Sequence, residues 1–353
     1  DTDKFDSPPT DMVDYEYTPC SELLSDPDTR FHYGTPRIYN VTTTDYSLPD
    51  IPMTVDMMYR HPHRILLEEA LNKELQSYVT NGAITASTLT PAAIKAAGFQ
   101  LLTVRILFTV KTHPDGSFMK YKVRMVLRGD RWKNLDNIDL YASTVKMDSI
   151  RLVYSLICNY QLEIAFFDVE TAFLIPPLRV DEEIYIKRPP QLTDAHMPAI
   201  SKVNKCIYGL PQAARYFEDH FNGTMASLGY RPLIGDPKIF IKRTGESYVI
   251  VCTHVDDNLV AATSIELKNE FLREIANIYK VTVDLDPTRF LGVNIHRDRT
   301  NHTLEISQPL YIKSLLHKHN IPLTSSHYPL TPMISSDSDI TLSSSIPSPL
   351  LDA

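Results

Sequence analysis

The chain has 353 residues, of which 43% are hydrophobic, enough for a sizeable buried core. No apolar run reaches the roughly 18 residues that a membrane-spanning helix needs, and the four cysteines are too widely spaced for a zinc or disulfide framework. That cysteine usage favours a reducing intracellular compartment. The net charge of −8 comes almost entirely from residues 1–30, which hold nine acidic and two basic side chains.

Residues 1–50 are acidic and proline-rich without periodicity, and predict a disordered lead-in. Residues 334–353 are rich in serine and proline and predict a flexible tail. The N-terminus carries neither a starting methionine nor a signal-peptide pattern, so we expect the chain to be a segment of a longer protein.

Between these flanks, residues 61–82 predict a helix with Leu67, Leu71, Leu75 and Val79 on its apolar face. Two β-rich runs around the turn signal Asp115-Gly116 predict a hairpin over residues 101–129. A second helix is predicted over 145–160, with its apolar face formed by Ile150, Val153, Tyr154 and Ile157. A strand is then predicted over 162–169, with Asp168 close to its end.

Residues 210–230 predict a third long helix, followed by strands over 239–243, 247–255 and 258–263. A helix over 264–280 is predicted to be capped by Ser264. A strand pair over 281–298 and a short helix over 309–319 complete the pattern. Together these elements indicate an α+β fold, with a central, mostly antiparallel sheet and helices on one face.

The hairpin region is basic. Residues 100–133 contain eight lysines and arginines but only two acidic residues; the basic residues are Arg105, Lys111, Lys120, Lys122, Arg124, Arg128, Arg131 and Lys133. A basic segment within a nearly neutral body suits a phosphate-bearing partner. The alternative is a solvated hairpin with its charged side chains on the outer face.

Two adjacent aspartates, Asp256 and Asp257, lie between two apolar strands. If the strand ending at Asp168 is their neighbour, three carboxylates meet at one edge of the sheet. Three uncompensated anions repel one another, and divalent cations such as Mg²⁺ would remove that repulsion. The alternative is that the two aspartates only form a tight turn, for which aspartate is well suited.

Several blocks of this sequence resemble the reverse transcriptase domain of Ty1/copia-type retrotransposon polyproteins. In chain order they are GSFMKYKVRMVLRGD, ASTVKMDSIRLVYSL, FFDVETAFL, DEEIYIKRPP, CIYGLPQAARYF, HVDD and RFLGVNIHRD, followed by Thr331-Pro332-Met333. The resemblance covers residues 65–333. It implies a polymerase with fingers at about 100–160, a palm at about 161–290 and a thumb or connection at about 291–333.

The resemblance also implies roles for individual residues. Asp168, Asp256 and Asp257 would bind two Mg²⁺ ions, with Mn²⁺ as an alternative, for nucleotidyl transfer to a primer 3′-hydroxyl. Lys122 and Arg124 would hold the triphosphate of the incoming nucleotide. Alternatively, Lys122 and Arg124, which are two positions apart, are exposed residues of a cross-strand charge pair.

Phe173 corresponds to the residue that would exclude ribonucleotides by a clash with the 2′-hydroxyl, although core packing would also explain it. Gln212 would contact the nucleotide; otherwise it is an exposed residue in the first turn of a helix. Phe290, Leu291 and Gly292 resemble the turn that grips the primer terminus, where Gly292 would let backbone approach closely, as it also would in a β-bulge.

His254 replaces the tyrosine usual in the family's turn, and its position along the strand argues against a role as a metal ligand. The implied partners are an RNA or DNA template with its primer, deoxynucleoside triphosphates, and the integrase and RNase H parts of a polyprotein, with no membrane. The implied location is cytoplasmic, in virus-like particles, or nuclear. The alternatives to a polymerase are a catalytically inactive nucleic-acid-binding remnant and a two-metal phosphohydrolase on an unrelated fold.

Overall fold

The computed structural model describes residues 48–113, 117–132 and 139–321. The predicted lead-in, except for its last three residues, the predicted tail and the Asp115-Gly116 turn lie outside the described residues. All described residues belong to one unit that begins at Asp45. In the described ranges, no helix is both long enough and apolar enough to cross a membrane.

The described helices are α1 (Val55–Tyr59), α2 (Arg64–Thr80), α3 (Pro91–Ala96), α4 (Met147–Asn159), α5 (Ala213–Ser227), α6 (Ile265–Ile278) and α7 (Pro309–Lys318). The first seven strands are β1 (Ile84–Ala86), β2 (Gln100–Thr112), β3 (Phe118–Leu127), β4 (Glu163–Val169), β5 (Ile184–Lys187), β6 (Ile200–Val203) and β7 (Arg231–Pro232). The remaining strands are β8 (Ile239–Thr244), β9 (Ser247–His254), β10 (Asp257–Ala262), β11 (Val281–Asp284), β12 (Arg289–Phe290), β13 (Val293–Asp298) and β14 (Thr303–Ser307).

The strands form three sheets. A five-stranded sheet has the order β1-β6-β5-β2-β3, in which only the β2–β5 pair is parallel. A central six-stranded sheet has the order β11-β4-β10-β9-β8-β7 and is antiparallel throughout. Strands β12, β13 and β14 form a small antiparallel sheet. The predicted α+β class with mostly antiparallel pairing is therefore confirmed.

Helices cover both faces of the central sheet, so the expectation of helices on one face is wrong. Helices α5 and α6 pack on the face that carries Phe167, whereas α4 packs on the opposite face with Phe166. The reason lies in strand β4, whose residues 164–167 are apolar at successive positions. Such a run makes both faces of a sheet apolar, and both must then be covered.

The predicted apolar face of α4 is confirmed, since Ile150, Val153, Tyr154 and Ile157 are its buried residues. In α2, Leu67, Leu71 and Leu75 are buried as predicted, but Val79 is 52% exposed and Tyr78 is buried in its place. Ser264 caps α6, as predicted, by accepting a hydrogen bond from the backbone N–H of Leu267 at 3.3 Å.

Helix α2 protects the edge of the five-stranded sheet. The carboxylate of Glu74 accepts a hydrogen bond from the Met125 backbone N–H at 3.0 Å, and the Tyr78 hydroxyl donates to the Met125 carbonyl. Strand β3 is the edge strand, so these bonds satisfy backbone groups that would otherwise have no strand partner. Burial of Glu74 raises the pKa of its carboxyl.

The end of β3 docks tightly on the loop that precedes α5. The Leu127 backbone N–H donates to the Tyr208 carbonyl at 2.7 Å. A Cβ on Gly209 would lie 2.2 Å from the Leu127 carbonyl oxygen, and one on Gly129 would lie 2.1 Å from the Gly209 carbonyl oxygen. Both positions therefore require glycine, because backbone occupies the space that a side chain would need.

Candidate functional site

Two of the three predicted carboxylates lie directly opposite each other. Strands β4 and β10 are neighbours, and Asp257 pairs with Asp168 in their register. On the other side of β10, His254 is the cross-strand partner of Asp257. Asp168 and Asp257 are exposed, so the antiparallel pairing of two apolar strands presents two carboxylates at the sheet end.

Asp256 is held in the two-residue turn between β9 and β10. Its carbonyl accepts hydrogen bonds from the Val169 backbone N–H at 3.0 Å and from Asn258 Nδ2 at 2.7 Å. Val255 has a φ of +58°, an uncommon value for a β-branched residue and one that stores backbone strain. These contacts fix the turn beside the end of β4, so the predicted tight turn and the predicted cluster are the same feature.

The carboxylates interact electrostatically. Partial desolvation raises the pKa of Asp168, and the nearby charges of Asp256 and Asp257 raise it further. The pKa of Asp257 is raised by desolvation and by Asp256, and lowered in part by His254. The cluster therefore carries negative charge that neighbouring basic groups offset only in part, and a bound cation would relieve the rest.

Among the residues that the structure describes, no group of three or more His, Cys, Asp or Glu side chains is arranged closely enough to hold a metal ion. The donor set nevertheless suits Mg²⁺, which takes one or two carboxylates and completes its shell with water and phosphate oxygens. Asp168 and Asp257, opposed across two strands, are the candidate carboxylates, and Asp256 lies in the adjoining turn.

A group of basic side chains lies within electrostatic range of the carboxylates. On one face of the β2–β3 hairpin, Lys122 is two residues from Arg124, and Lys111 pairs across the strands with Lys120. Desolvation lowers the pKa of Lys122, and the charges of Arg124 and Lys111 lower it further. The positive charges of Lys111 and Lys122 lower the pKa of Asp168 and so cancel part of its increase.

Lys122 and Arg124 are half-buried, and neither side chain forms an ion pair with any carboxylate in the described ranges. Their cross-strand partners are Thr109 and Leu107, so they do not form the cross-strand charge pair that was the alternative interpretation. Unpaired, half-buried cations on one face are suited to an anion.

Phe173 lies in the short 3₁₀ turn Ala172–Leu174 that follows β4. It is half-buried and packs against two hydrophobic clusters. One belongs to the five-stranded sheet, and the other lies between the central sheet and helices α5 and α6. Its ring makes an edge contact with Tyr208 at a centroid distance of 5.3 Å, and the Arg124 guanidinium lies 5.8 Å from the centroid of the same tyrosine ring. Tyr208 therefore connects Phe173 to the basic hairpin.

Gln212 precedes the first residue of α5 and is fully buried, so the alternative of an exposed first-turn residue is wrong. Its Nε2 donates a hydrogen bond to Glu182 Oε1 at 2.9 Å. Its Oε1 is buried without a hydrogen-bond partner among the described residues. As it stands, the side chain is held by protein rather than presented to solvent.

The predicted primer-gripping turn lies on the same sheet face as the carboxylate pair. Phe290 packs on Phe166 at a ring-centroid distance of 4.7 Å, and Phe166 and Asp168 point to one face of β4 because they are two residues apart. Leu291 and Gly292 both have positive φ values, +48° and +78°. A Cβ on Gly292 would meet nothing within 4 Å, so this glycine serves the turn conformation rather than a close backbone approach.

Sequence reasoning did not single out Lys111, Tyr208 or Glu182 as site residues. Lys111 could have been found from the hairpin register, since it falls on the same face as Lys122. Glu182 and Tyr208 lie in two of the recognised blocks, but only the packing of those blocks against each other reveals their contacts. Burial and nearby negative charges, led by that of Glu74, raise the pKa of Tyr208 to about 12.

Comparisons with known proteins identify the family of this chain. A family model described as "Reverse transcriptase (RNA-dependent DNA polymerase)" matches residues 95–335. The Pol polyprotein of transposon TNT 1-94 from Nicotiana tabacum is 32% identical over 276 residues, which cover 76% of this chain and 20% of that protein. The Pol polyprotein of transposon RE1 from Arabidopsis thaliana is 28% identical over 254 residues, 71% of this chain and 17% of that protein.

The chain thus spans about a fifth of the length of these curated relatives. A putative transposon Ty5-1 protein of Saccharomyces cerevisiae is 31% identical over 146 residues, covering 41% of this chain and 46% of that protein. A solved structure of a foamy viral protease-reverse transcriptase in complex with double-stranded DNA aligns with 70% of this chain and 36% of that one, at 14% identity and a TM-score of 0.39. Family match and relatives together place the chain in the reverse transcriptase family, as the reverse transcriptase domain of a Ty1/copia-type Pol polyprotein.

Proposed function

We propose that this chain extends a primer by two-metal nucleotidyl transfer, copying an RNA or DNA template with deoxynucleoside triphosphates. The observation that carries the proposal is the directly opposed pair Asp168 and Asp257, with Asp256 in the adjoining turn, within electrostatic range of the cations Lys111 and Lys122. A metal-bound triphosphate has the complementary charges, because its cation suits the carboxylates and its phosphates suit the lysines.

In this proposal the central six-stranded sheet is the palm and the five-stranded sheet with the basic hairpin forms the fingers. The small sheet of β12, β13 and β14 and helix α7 begin the thumb or connection. Tight docking of the β3 end on the loop before α5 supports this assignment, since it holds fingers and palm residues in fixed proximity.

Two Mg²⁺ ions, when bound, would activate the primer 3′-hydroxyl and stabilise the departing pyrophosphate. Asp168 and Asp257 would hold them from adjacent strands, and Asp256 from the turn. Lys122 and Arg124 would bind the triphosphate, and Phe173 would lie against the sugar. The Phe290–Gly292 hairpin would position the primer end on the same sheet face as Asp168.

The first prediction is that the purified chain extends an oligonucleotide-primed RNA template when Mg²⁺ and deoxynucleoside triphosphates are supplied. Extension should stop when the metal is chelated and should also occur on a DNA template. Product length on a sequencing gel measures it. A chain that binds the template–primer tightly but extends it with neither Mg²⁺ nor Mn²⁺ would instead be a non-catalytic binding protein. Release of nucleotides without a primer would indicate a phosphohydrolase.

A second prediction concerns Phe173. Replacing this residue by alanine removes the flat ring that would clash with a ribose 2′-hydroxyl, so ribonucleotide incorporation should rise by about tenfold or more relative to deoxynucleotide incorporation, as expected when one steric contact worth a few kcal/mol is lost. Competition between the two nucleotides at one template position measures the ratio. Phe99, a surface aromatic stacked on Tyr185, provides the matched control, since its replacement by alanine should leave the ratio unchanged. An unaltered ratio in Phe173→Ala would show that the ring serves packing alone.

A further inference from the structure

The Tyr208 side chain contacts two of the residues assigned to the nucleotide. The Phe173 ring meets the Tyr208 ring edge-on, at a centroid distance of 5.3 Å and an interplanar angle of 72°. The Arg124 guanidinium carbon lies over the same tyrosine ring, 5.8 Å from its centroid. Phe173 follows strand β4 of the central sheet, whereas Arg124 lies on strand β3 of the five-stranded sheet. One aromatic ring therefore contacts both the proposed sugar contact and a proposed triphosphate contact.

The backbone of Tyr208 is fixed relative to strand β3. Its carbonyl accepts a hydrogen bond from the Leu127 backbone N–H at 2.7 Å. The next residue, Gly209, has a φ of +88° and packs so closely on β3 that a Cβ there would lie 2.2 Å from the Leu127 carbonyl oxygen. Arg124 lies on the same strand. The Tyr208 ring and the Arg124 side chain therefore extend from backbone segments that are joined to each other.

The ring is neutral and lies within electrostatic range of the carboxylates. Burial, together with the negative charges of Glu74, Asp256 and Asp168, raises the pKa of the Tyr208 hydroxyl to about 12, so the hydroxyl stays protonated at neutral pH. A neutral ring attracts a guanidinium without cancelling its charge, whereas a carboxylate partner would neutralise it. Tyr208 can thus hold Arg124 and leave its positive charge for an anion.

We propose that Tyr208 is a positioning residue of the nucleotide site, whose ring holds the Phe173 ring and the Arg124 guanidinium in place together. The inference rests on the polymerase function proposed above and goes beyond it, because it makes sugar discrimination and triphosphate binding depend on one shared side chain. The role requires the flat ring of Tyr208 and not its hydroxyl, and it is exerted through the two neighbours.

Tyr230 is the matched control because it makes the same two kinds of contact elsewhere in the molecule. Its ring meets the Phe271 ring edge-on at a centroid distance of 5.1 Å, and Lys242 Nζ lies 5.4 Å from its centroid. Burial and the charges of Glu274 and Glu270 raise the pKa of its hydroxyl, so its acidic neighbours are not those of the site. Tyr230→Leu therefore removes an equivalent ring and leaves both contacts of the proposed positioning residue intact.

The first test is a double-mutant cycle on sugar discrimination. Tyr208→Leu should raise ribonucleotide incorporation relative to deoxynucleotide incorporation about fivefold, the effect expected of one lost aromatic contact. In a Phe173→Ala background the same substitution should add nothing, because Tyr208 acts on the sugar only through Phe173. Tyr208→Phe keeps the ring and should stay within about twofold of the unmodified chain, as should Tyr230→Leu.

The second test is a cycle on triphosphate binding. Tyr208→Leu should raise KM for the deoxynucleotide about threefold, with a smaller change in kcat, because the guanidinium loses the ring that holds it. In a background of Arg124→Met, which keeps the aliphatic stem, it should raise KM no further. Tyr230→Leu should lower the melting temperature by a similar amount without raising KM. If Tyr208→Leu does not fold, Tyr208→Met, which also lacks a ring, takes its place.

Effects that multiply in either double variant would overturn the inference, as would a Tyr208→Phe chain as impaired as Tyr208→Leu, or a lower melting temperature alone. If the unmodified chain extends no primer, the proposed function fails, but the inference is still decided by binding. The readout is then how much more the correct deoxynucleotide slows dissociation of a chain-terminated primer–template than the ribonucleotide does. Loss of that preference in Tyr208→Leu but not in Tyr230→Leu supports the inference. No preference in the unmodified chain, or one that Tyr208→Leu retains, overturns it.

Discussion

Asp257→Asn is expected to reduce primer extension by about a thousandfold or more, since a metal-binding carboxylate contributes several kcal/mol of charge stabilisation in the transition state. Asparagine keeps the shape of the side chain and leaves the β4–β10 register intact. It also removes one of three mutually repelling charges, so the metal-free protein should be at least as stable as before. Single-nucleotide incorporation under saturating substrate, together with thermal unfolding, measures both effects.

Asp148→Asn is the control for this experiment. Asp148 is an exposed aspartate in the first turn of α4, and within the described ranges its one ion pair is with Arg151, three residues later. Surface pairs of this kind contribute little, so activity should be unchanged. If Asp257→Asn retains activity comparable to this control, the carboxylate pair is not the catalytic centre.

Gly209→Ala is expected to lower the free energy of unfolding by about 2–4 kcal/mol, the combined cost of strain and overpacking. The residue has a φ of +88°, and an added Cβ would lie 2.2 Å from the Leu127 carbonyl oxygen. The backbone can move away from the added Cβ only if the end of β3 separates from the loop that carries Tyr208, which would break the hydrogen bond between Leu127 and Tyr208. Urea unfolding followed by circular dichroism measures the change.

Gly223→Ala is the matched control because it makes the same substitution in the interior of helix α5, where an added Cβ would meet nothing within 4 Å. Alanine is the better helix former, so this variant should gain about 1 kcal/mol. Equal stabilities for the two variants would show that the β3 end and the loop before α5 separate easily. In that case the proposed coupling of fingers and palm would lose its support.

Local patterns predicted most of the long elements. The apolar face of α4 and the Ser264 cap follow from residues three or four positions apart, which helix geometry brings together whatever the rest of the chain does. Several short strands escaped prediction. Strand β5 has only four residues and lies between β6 and β2, and no local signal reveals its pairing with β2, more than 80 residues earlier. The choice of Tyr78 over Val79 as the buried residue of α2 was likewise decided by packing on β3.

Residue types and spacing by themselves gave the candidate site residues, which are three aspartates at or beside strand ends and a basic hairpin. They also gave a family pattern that the comparisons confirm. Only the tertiary structure decided how they meet. It paired Asp168 with Asp257, buried Gln212 against Glu182 and placed Phe290 on the face of Asp168. Periodicity reports how each segment presents its own side chains, whereas these contacts join residues far apart in the chain, and long-range pairing and packing alone select them.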